Sequence, residues 1–233
     1  MSEISRQTIL DFKLRDDATF TNYIGTAAAS LQQARGAAFV WGGAGSGKSH
    51  LLQAYCHATD DSIYLSNLTT LDTSILRGLE SLALVCIDDV DQVVGKPKMQ
   101  HPLAEERHHS SMDWPESLFH FINDCSDSGT MLVCSSAVPA AALNCKLMDL
   151  QTRLNSMIGI ETDRLSDDDK LIALQRKATS HGFNFSDEVG RFILARAGRN
   201  MNSLFLMFEK ISSETLREQR KVTIPFVKRI LNL

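Results

Sequence analysis

Eight residues, Gly42-Gly43-Ala44-Gly45-Ser46-Gly47-Lys48-Ser49, have the types and spacing of a loop that holds phosphate. Glycines let successive backbone N–H groups turn inward on the ligand, where a Cβ would obstruct the required dihedrals. Lys48 supplies a cation for the terminal phosphates, and the Ser49 hydroxyl is a ligand for Mg²⁺. His50 follows within the same turn. The loop comes directly after an apolar run and before a helical pattern, the context that separates a phosphate site from a chance glycine-rich turn. A loop of this kind reads phosphates and leaves the base open.

Further along, the run Leu82-Ala-Leu-Val-Cys-Ile87 ends in Asp88-Asp89. A buried strand that delivers a carboxylate to its end suits Asp88 to hold Mg²⁺ through water. Asp89 is then placed to polarise an attacking water, with a side chain one methylene shorter than the more usual Glu. Another apolar run ends in Ser135-Ser136, and Ser136 is the candidate for orienting that water. Arg153 stands just before the last apolar run, a late arginine that could meet a phosphate.

These residues need a scaffold. Apolar runs at 37–41, 62–65, 82–87, 130–136 and 156–161 are continuous rather than alternating, as expected of strands buried on both faces of a parallel sheet. Helical segments are expected between them over 49–58, 70–78, 115–125 and around 149–154. The series predicts a doubly wound α/β layer. After Leu165 the strand signals cease. Ser166 followed by three aspartates opens a helix, Ser186 a second, the apolar set Leu204, Phe205, Phe208 and Ile211 marks a third, and Thr223 with Pro225 starts a fourth. The expected organisation is a mobile tail over 1–15, an α/β nucleotide-binding domain over 16–163 and a helical domain over 164–233.

The bulk properties exclude several classes. Net charge is −4, so no bulk electropositivity advertises nucleic acid or anionic membrane as a direct partner. No apolar run approaches the ~20 residues that span a bilayer, and no signal peptide opens the chain, so a cytoplasmic protein is expected. The five cysteines form no C-x-x-C pair and read as reduced core thiols. The polar stretch 95–115, with His101, His108 and His109, reads as a surface loop rather than a metal site.

With loop, acid pair, late arginine and helical ending in place, the sequence resembles the AAA+ branch of bacterial replication initiators. Cys86 through Asp91 is similar to the family's acidic strand end. The segment Ala18 to Ile24 resembles the part that packs around adenine, which implies contacts from Phe20, Asn22, Tyr23 and Ile24 and a bound ADP or ATP. Asp149 to Leu154 resembles the arginine-finger segment, which implies that Arg153 acts in trans on a neighbour's nucleotide. Because AAA+ sites form between subunits, the resemblance also implies self-association.

The ending Lys221 to Leu233 and the stretch Leu165 to Leu171 are similar to the short Hda-like regulators of the initiator DnaA. The helical ending runs to Leu233, so no C-terminal DNA-binding domain of the initiator type is expected. The resemblance implies docking on the DNA-loaded sliding clamp, with DNA met only through the clamp. It also implies hydrolysis of DnaA-bound ATP and negative regulation of replication initiation. Gln7, Leu10 and Phe12 fit the clamp-binding pattern Q-x-x-L-x-F. One position departs from the family: the lid arginine is expected at Asn202, with Arg199 one turn away. An amide lacks the guanidinium's charge, which implies little ATP turnover by the chain alone. The alternative is an autonomous AAA+ ATPase of the helicase-loader type; a DNA-binding initiator fragment fits less well.

Overall fold

The computed structural model describes residues 14–95, 113–197 and 201–232. In chain order the elements are α1 (Ala27–Gln33), β1 (Ala37–Trp41), α2 (Lys48–His57), β2 (Ser62–Leu65), β3 (Leu84–Ile87), α3 (Asp91–Val94), α4 (Trp114–Ser128), β4 (Met131–Ser136), α5 (Met148–Ser156) and β5 (Ile158–Glu161). They are followed by α6 (Asp167–Ser180), α7 (Asp187–Ala197), α8 (Met201–Glu218) and α9 (Ile224–Leu231). The strands form one parallel sheet in the order β2-β3-β4-β1-β5. Every crossover therefore brings a strand's carboxyl end to the same edge, where ligands of open α/β sheets sit.

Side-chain alternation sorts the sheet residues between two cores. Phe39, Val85, Ile87, Leu132 and Cys134 face the layer that contains α4 and α5. Ala38, Val40, Leu84, Cys86 and Val133 face α1 and α2. Each fully buried Leu, Ile or Phe contributes roughly 1.5–3 kcal/mol of transfer free energy. The cysteines at 56, 86, 125 and 134 are buried and that at 145 half-buried, all as free thiols.

Two expected elements differ. The region expected to be a helix over 70–78 is three 3₁₀ turns, Leu68–Thr70, Thr73–Leu76 and Leu79–Ser81. Asp72 accepts a hydrogen bond from the Ser74 amide at 2.8 Å, which satisfies the backbone locally instead of through a helical ladder. The segment is also too short to propagate a helix without tertiary support. β5 lies at the sheet edge rather than between neighbours, so only Ile160 of its residues is buried and Ile158 is 44% exposed.

The helices α6–α9 enclose a third core around Leu174, Ile193, Leu204, Phe208 and Val227. Their starts follow the caps read in the sequence. Ser166 and Asp169 exchange a reciprocal pair of hydrogen bonds, a capping box, and Thr223 accepts from the Phe226 amide with Pro225 in the first turn. Such caps contribute about 1 kcal/mol each. Among the described residues no helix is long and apolar enough to cross a membrane.

Candidate nucleotide site

The glycine-rich loop joins β1 to α2 at the carboxyl edge of the sheet. Gly45 and Gly47 hold φ of 75° and 91°, left-handed values that glycine adopts freely. Gly42 is required for another reason: a Cβ there would lie 2.1 Å from Thr162 Oγ1. Thr162, just past β5, holds the loop from below. Its Oγ1 lies 2.6 Å from Ser46 Oγ, and its amide donates to the Trp41 carbonyl at 2.8 Å. Lys48 opens α2 and is buried, with Nζ donating to the carbonyls of Gly42 at 2.9 Å and Gly43 at 3.4 Å. The start of α2, Lys48 to His50, lines the same space, a favourable end for phosphate.

Asp88 follows β3 and is 3% exposed. One carboxylate oxygen accepts from Tyr64 Oη at 2.6 Å and the other from Ser135 Oγ. Ser135 Oγ in turn accepts from the Asp89 amide at 2.9 Å. Ser136, the expected water-orienting residue, is elsewhere: its Oγ accepts from the Val138 amide. Period-2 geometry is the cause, since odd-numbered residues of β4 share the α2 side with Val133 and with the even-numbered Leu84, Cys86 and Asp88 of β3. Ser135 is thus the polar strand end beside the acid pair. Asp89 adopts a left-handed φ of 52°, unusual for a residue with a Cβ. Burial, and then the charge of Asp88, push its carboxyl up against the opposing pull of Lys48.

These groups border a cavity of about 400 Å³, within the range of small-ligand sites. Of the expected residues, Asn22, Tyr23, Ile24, Ala44, Gly45, Ser46, Gly47, Lys48, Ser49, His50 and Asp89 line it. Gly42, Gly43 and Phe20 are not in the lining: the two glycine carbonyls accept from Lys48, and Phe20 packs on Tyr55 at a ring separation of 6.0 Å. Burial, reinforced by Asp163, pushes the Tyr23 hydroxyl up to about 12, so it stays neutral. The opposite wall was not anticipated from sequence: Arg15, Leu165, Ala173, Met201 and Phe205 complete it, four of them from the helical domain or its approach. Arg199, Gln7, Leu10 and Phe12 lie outside the described residues, as do residues 96–112 and the side chain of Asn202.

The residues fit Mg²⁺ in one particular way. Among the described residues no group of three or more His, Cys, Asp or Glu is placed to hold a metal alone. Both oxygens of Asp88 already accept protein hydrogen bonds, which suits contact through water, with Ser49 and nucleotide phosphates as inner ligands. Arg153 sits in the last turn of α5, exposed, outside the cavity lining and in no ion pair among the described residues.

His50 gives a pH dependence with a defined sign. Its Nε2 donates to the Thr19 carbonyl at 3.0 Å, and burial is the main cause that lowers its pKa. The folded state therefore disfavours the imidazolium. Its share of stability is complete above the unfolded pKa of about 6.5 and is lost as pH falls from there through the folded value. Urea unfolding between pH 7.5 and 5 should show stability declining with acid, and His50→Gln should flatten the decline by up to about 1.4 kcal/mol per pH unit. Parallel profiles for the two proteins would exclude His50 as the cause.

A phosphate-binding loop at a strand-to-helix junction, an acid pair at the end of β3, five parallel strands in this order and a helical lid define an AAA+ P-loop protein. The family model "Hda, lid domain" matches residues 167–231. An uncharacterised protein of Haemophilus influenzae strain Rd is 35% identical over 202 residues, spanning 84% of this chain and 81% of the relative. The chain belongs to one family with this Haemophilus protein, and its helical domain is an Hda-type lid. Among solved structures, domain III of the Thermotoga maritima replication initiation protein DnaA superposes with a TM-score of 0.71 at 19% identity, covering 94% of this chain and 98% of that one. AMPPCP-bound DnaA from Aquifex aeolicus gives 0.60 at 18%, covering 89% and 69%. The Thermotoga maritima RuvB branch-migration motor gives 0.60 at 14%, covering 88% and 64%. At these identities the likeness to solved structures is one of fold.

Proposed function

We propose that this protein holds ADP or ATP with Mg²⁺ in the cavity, docks through Gln7, Leu10 and Phe12 on the DNA-loaded sliding clamp, and offers Arg153 to ATP bound by DnaA, whose hydrolysis it promotes. The consequence is negative regulation of replication initiation. The observation that carries the reading is the pairing of a P-loop cavity with an exposed Arg153 that lies outside its lining and in no ion pair among the described residues. In this arrangement Lys48 and the loop amides hold the phosphates, Ser49 and Asp88 hold Mg²⁺, and Tyr23, Ile24 and the lid residues Met201 and Phe205 cover the base. Mg²⁺ supplies charge neutralisation on the phosphoryl oxygens.

Lys48→Ala is the direct test of the cavity. The ammonium makes a charge-assisted contact of roughly 1.5–3 kcal/mol with phosphate. ADP affinity by calorimetry should therefore drop at least about tenfold, with circular dichroism unchanged. Undiminished ADP affinity in the variant would refute the phosphate site.

The competing reading is an autonomous ATPase, and Asp89 at the cavity wall is the observation in its favour. ATP turnover by the protein alone, and then with clamp, DNA and DnaA, separates the two. We expect turnover to require the partners and to come from ATP preloaded on DnaA.

A further inference from the structure

The segment 14–24 crosses from the P-loop helix to the lid, and each end is fastened. On α2, the Arg15 amide donates to Gln53 Oε1 at 2.9 Å, and His57 Nε2 donates to the Arg15 carbonyl at 2.9 Å. On the lid, Lys177 Nζ meets Asp17 Oδ2 at 2.9 Å, and Arg176 donates to the Thr21 carbonyl at 3.0 Å. Arg15 and Lys177 both approach the ring of Phe205, at 5.7 and 5.1 Å, and Arg15 also pairs with Asp17 at 2.9 Å. The side chains of Asp17 and Lys177 are only 18% and 11% exposed, so this is no solvent-screened surface pair. Burial works to raise the Asp17 carboxyl, but hydrogen bonds and charge from Arg15 and Lys177 prevail and hold it far below the usual range. The fastening stays charged at neutral pH.

The same segment supplies Arg15, Asn22, Tyr23 and Ile24 to the cavity wall, and Phe205 faces them from the lid. Arg15 lies three positions beyond Phe12. We propose that residues 14–24 act as a strap that couples a partner on the N-terminal tail to the nucleotide cavity, with Asp17 and Lys177 as the tie. The coupling rests on the tail-docking reading above. A nucleotide that touches both strap and lid stabilises the fastened arrangement, which fixes the point from which the tail leaves the domain. Nucleotide and tail partner then tighten each other, and linkage requires the factor to be equal in both directions.

The test measures clamp affinity of the full chain with and without saturating ADP, for wild type, Asp17→Asn and Lys177→Met. Methionine keeps an apolar stem against Phe205 while removing the charge. Clamp binding by wild type should tighten about fivefold or more with ADP, and the factor should fall below about twofold in both variants. Equal clamp affinity with and without ADP, or a factor retained in both variants, overturns the strap. Absence of any clamp binding by wild type instead refutes the docking reading. Amide hydrogen exchange over residues 1–24 then decides the strap: ADP-dependent slowing that Asp17→Asn abolishes upholds it, and exchange indifferent to ADP removes it.

Discussion

Replacing Arg153 with alanine should yield a protein that folds, binds ADP and docks on the clamp, yet no longer accelerates hydrolysis of ATP held by DnaA. The side chain is exposed at the end of α5 and in no ion pair among the described residues, so its loss breaks no such pair there. Stability should change by no more than the ~0–1 kcal/mol of a surface charge. In the proposed trans arrangement the guanidinium meets charge that develops on the phosphoryl oxygens in the transition state. Arginines in that role contribute roughly 10³–10⁵ in rate. A planar fork with permanent charge matches those oxygens, so Arg153→Lys should recover little. The assay is single-turnover hydrolysis on preloaded ATP–DnaA with clamp and DNA. Full stimulation by Arg153→Ala would end the trans mechanism, whereas a lost ADP affinity would place the residue in its own site.

Removal of residues 1–14, or Leu10→Ala with Phe12→Ala, should abolish clamp binding while leaving the fold intact. Two apolar anchors contribute roughly 1.5–3 kcal/mol each when fully buried. Their joint loss corresponds to about 10²-fold or more in Kd, enough to take a micromolar contact out of range. The truncation also removes part of the approach to Arg15, so the paired substitution is the cleaner variant for ADP binding. Surface plasmon resonance on immobilised clamp gives the answer. A doubly substituted protein that still binds at wild-type strength places the contact elsewhere.

The site was legible where its chemistry is local. Eight consecutive residues define the phosphate loop, because a nest of amides at a strand-to-helix turn needs neighbours in sequence. Strands β1 and β2 have the expected bounds, and the lid caps at Ser166 and Thr223 act through residues only three positions away. The rest of the cavity depends on tertiary approach. Arg15, Met201 and Phe205 lie at opposite ends of the chain, and nothing in their local pattern marks them as partners. Tyr64 read as an apolar strand residue, yet its hydroxyl holds Asp88. The choice between Ser135 and Ser136 was recoverable in principle. A run buried on both faces hides its period, but Asp88 shares parity with Cys86, and pairing Cys86 with Val133 gives the odd-numbered serine. The 3₁₀ turns over 68–81 were missed because Asp72 supplies a capping contact that competes with a helix.

The crowding between Gly42 and Thr162 carries an evolutionary consequence. Gly42 has no left-handed backbone to excuse it; it is glycine because the Thr162 hydroxyl occupies the place of a Cβ. The two positions are 120 residues apart in sequence and form one mutational unit. Drift at position 42 is opposed first by the Thr162 hydroxyl, and with that hydroxyl gone a Cβ at 42 must still clear Ser46 Oγ at 2.9 Å and the Thr162 carbonyl at 3.0 Å. Among descendants of this sequence, a side chain at 42 should therefore arrive second, after a smaller residue at 162. The order of substitutions is set by a contact, although neither residue alone betrays it.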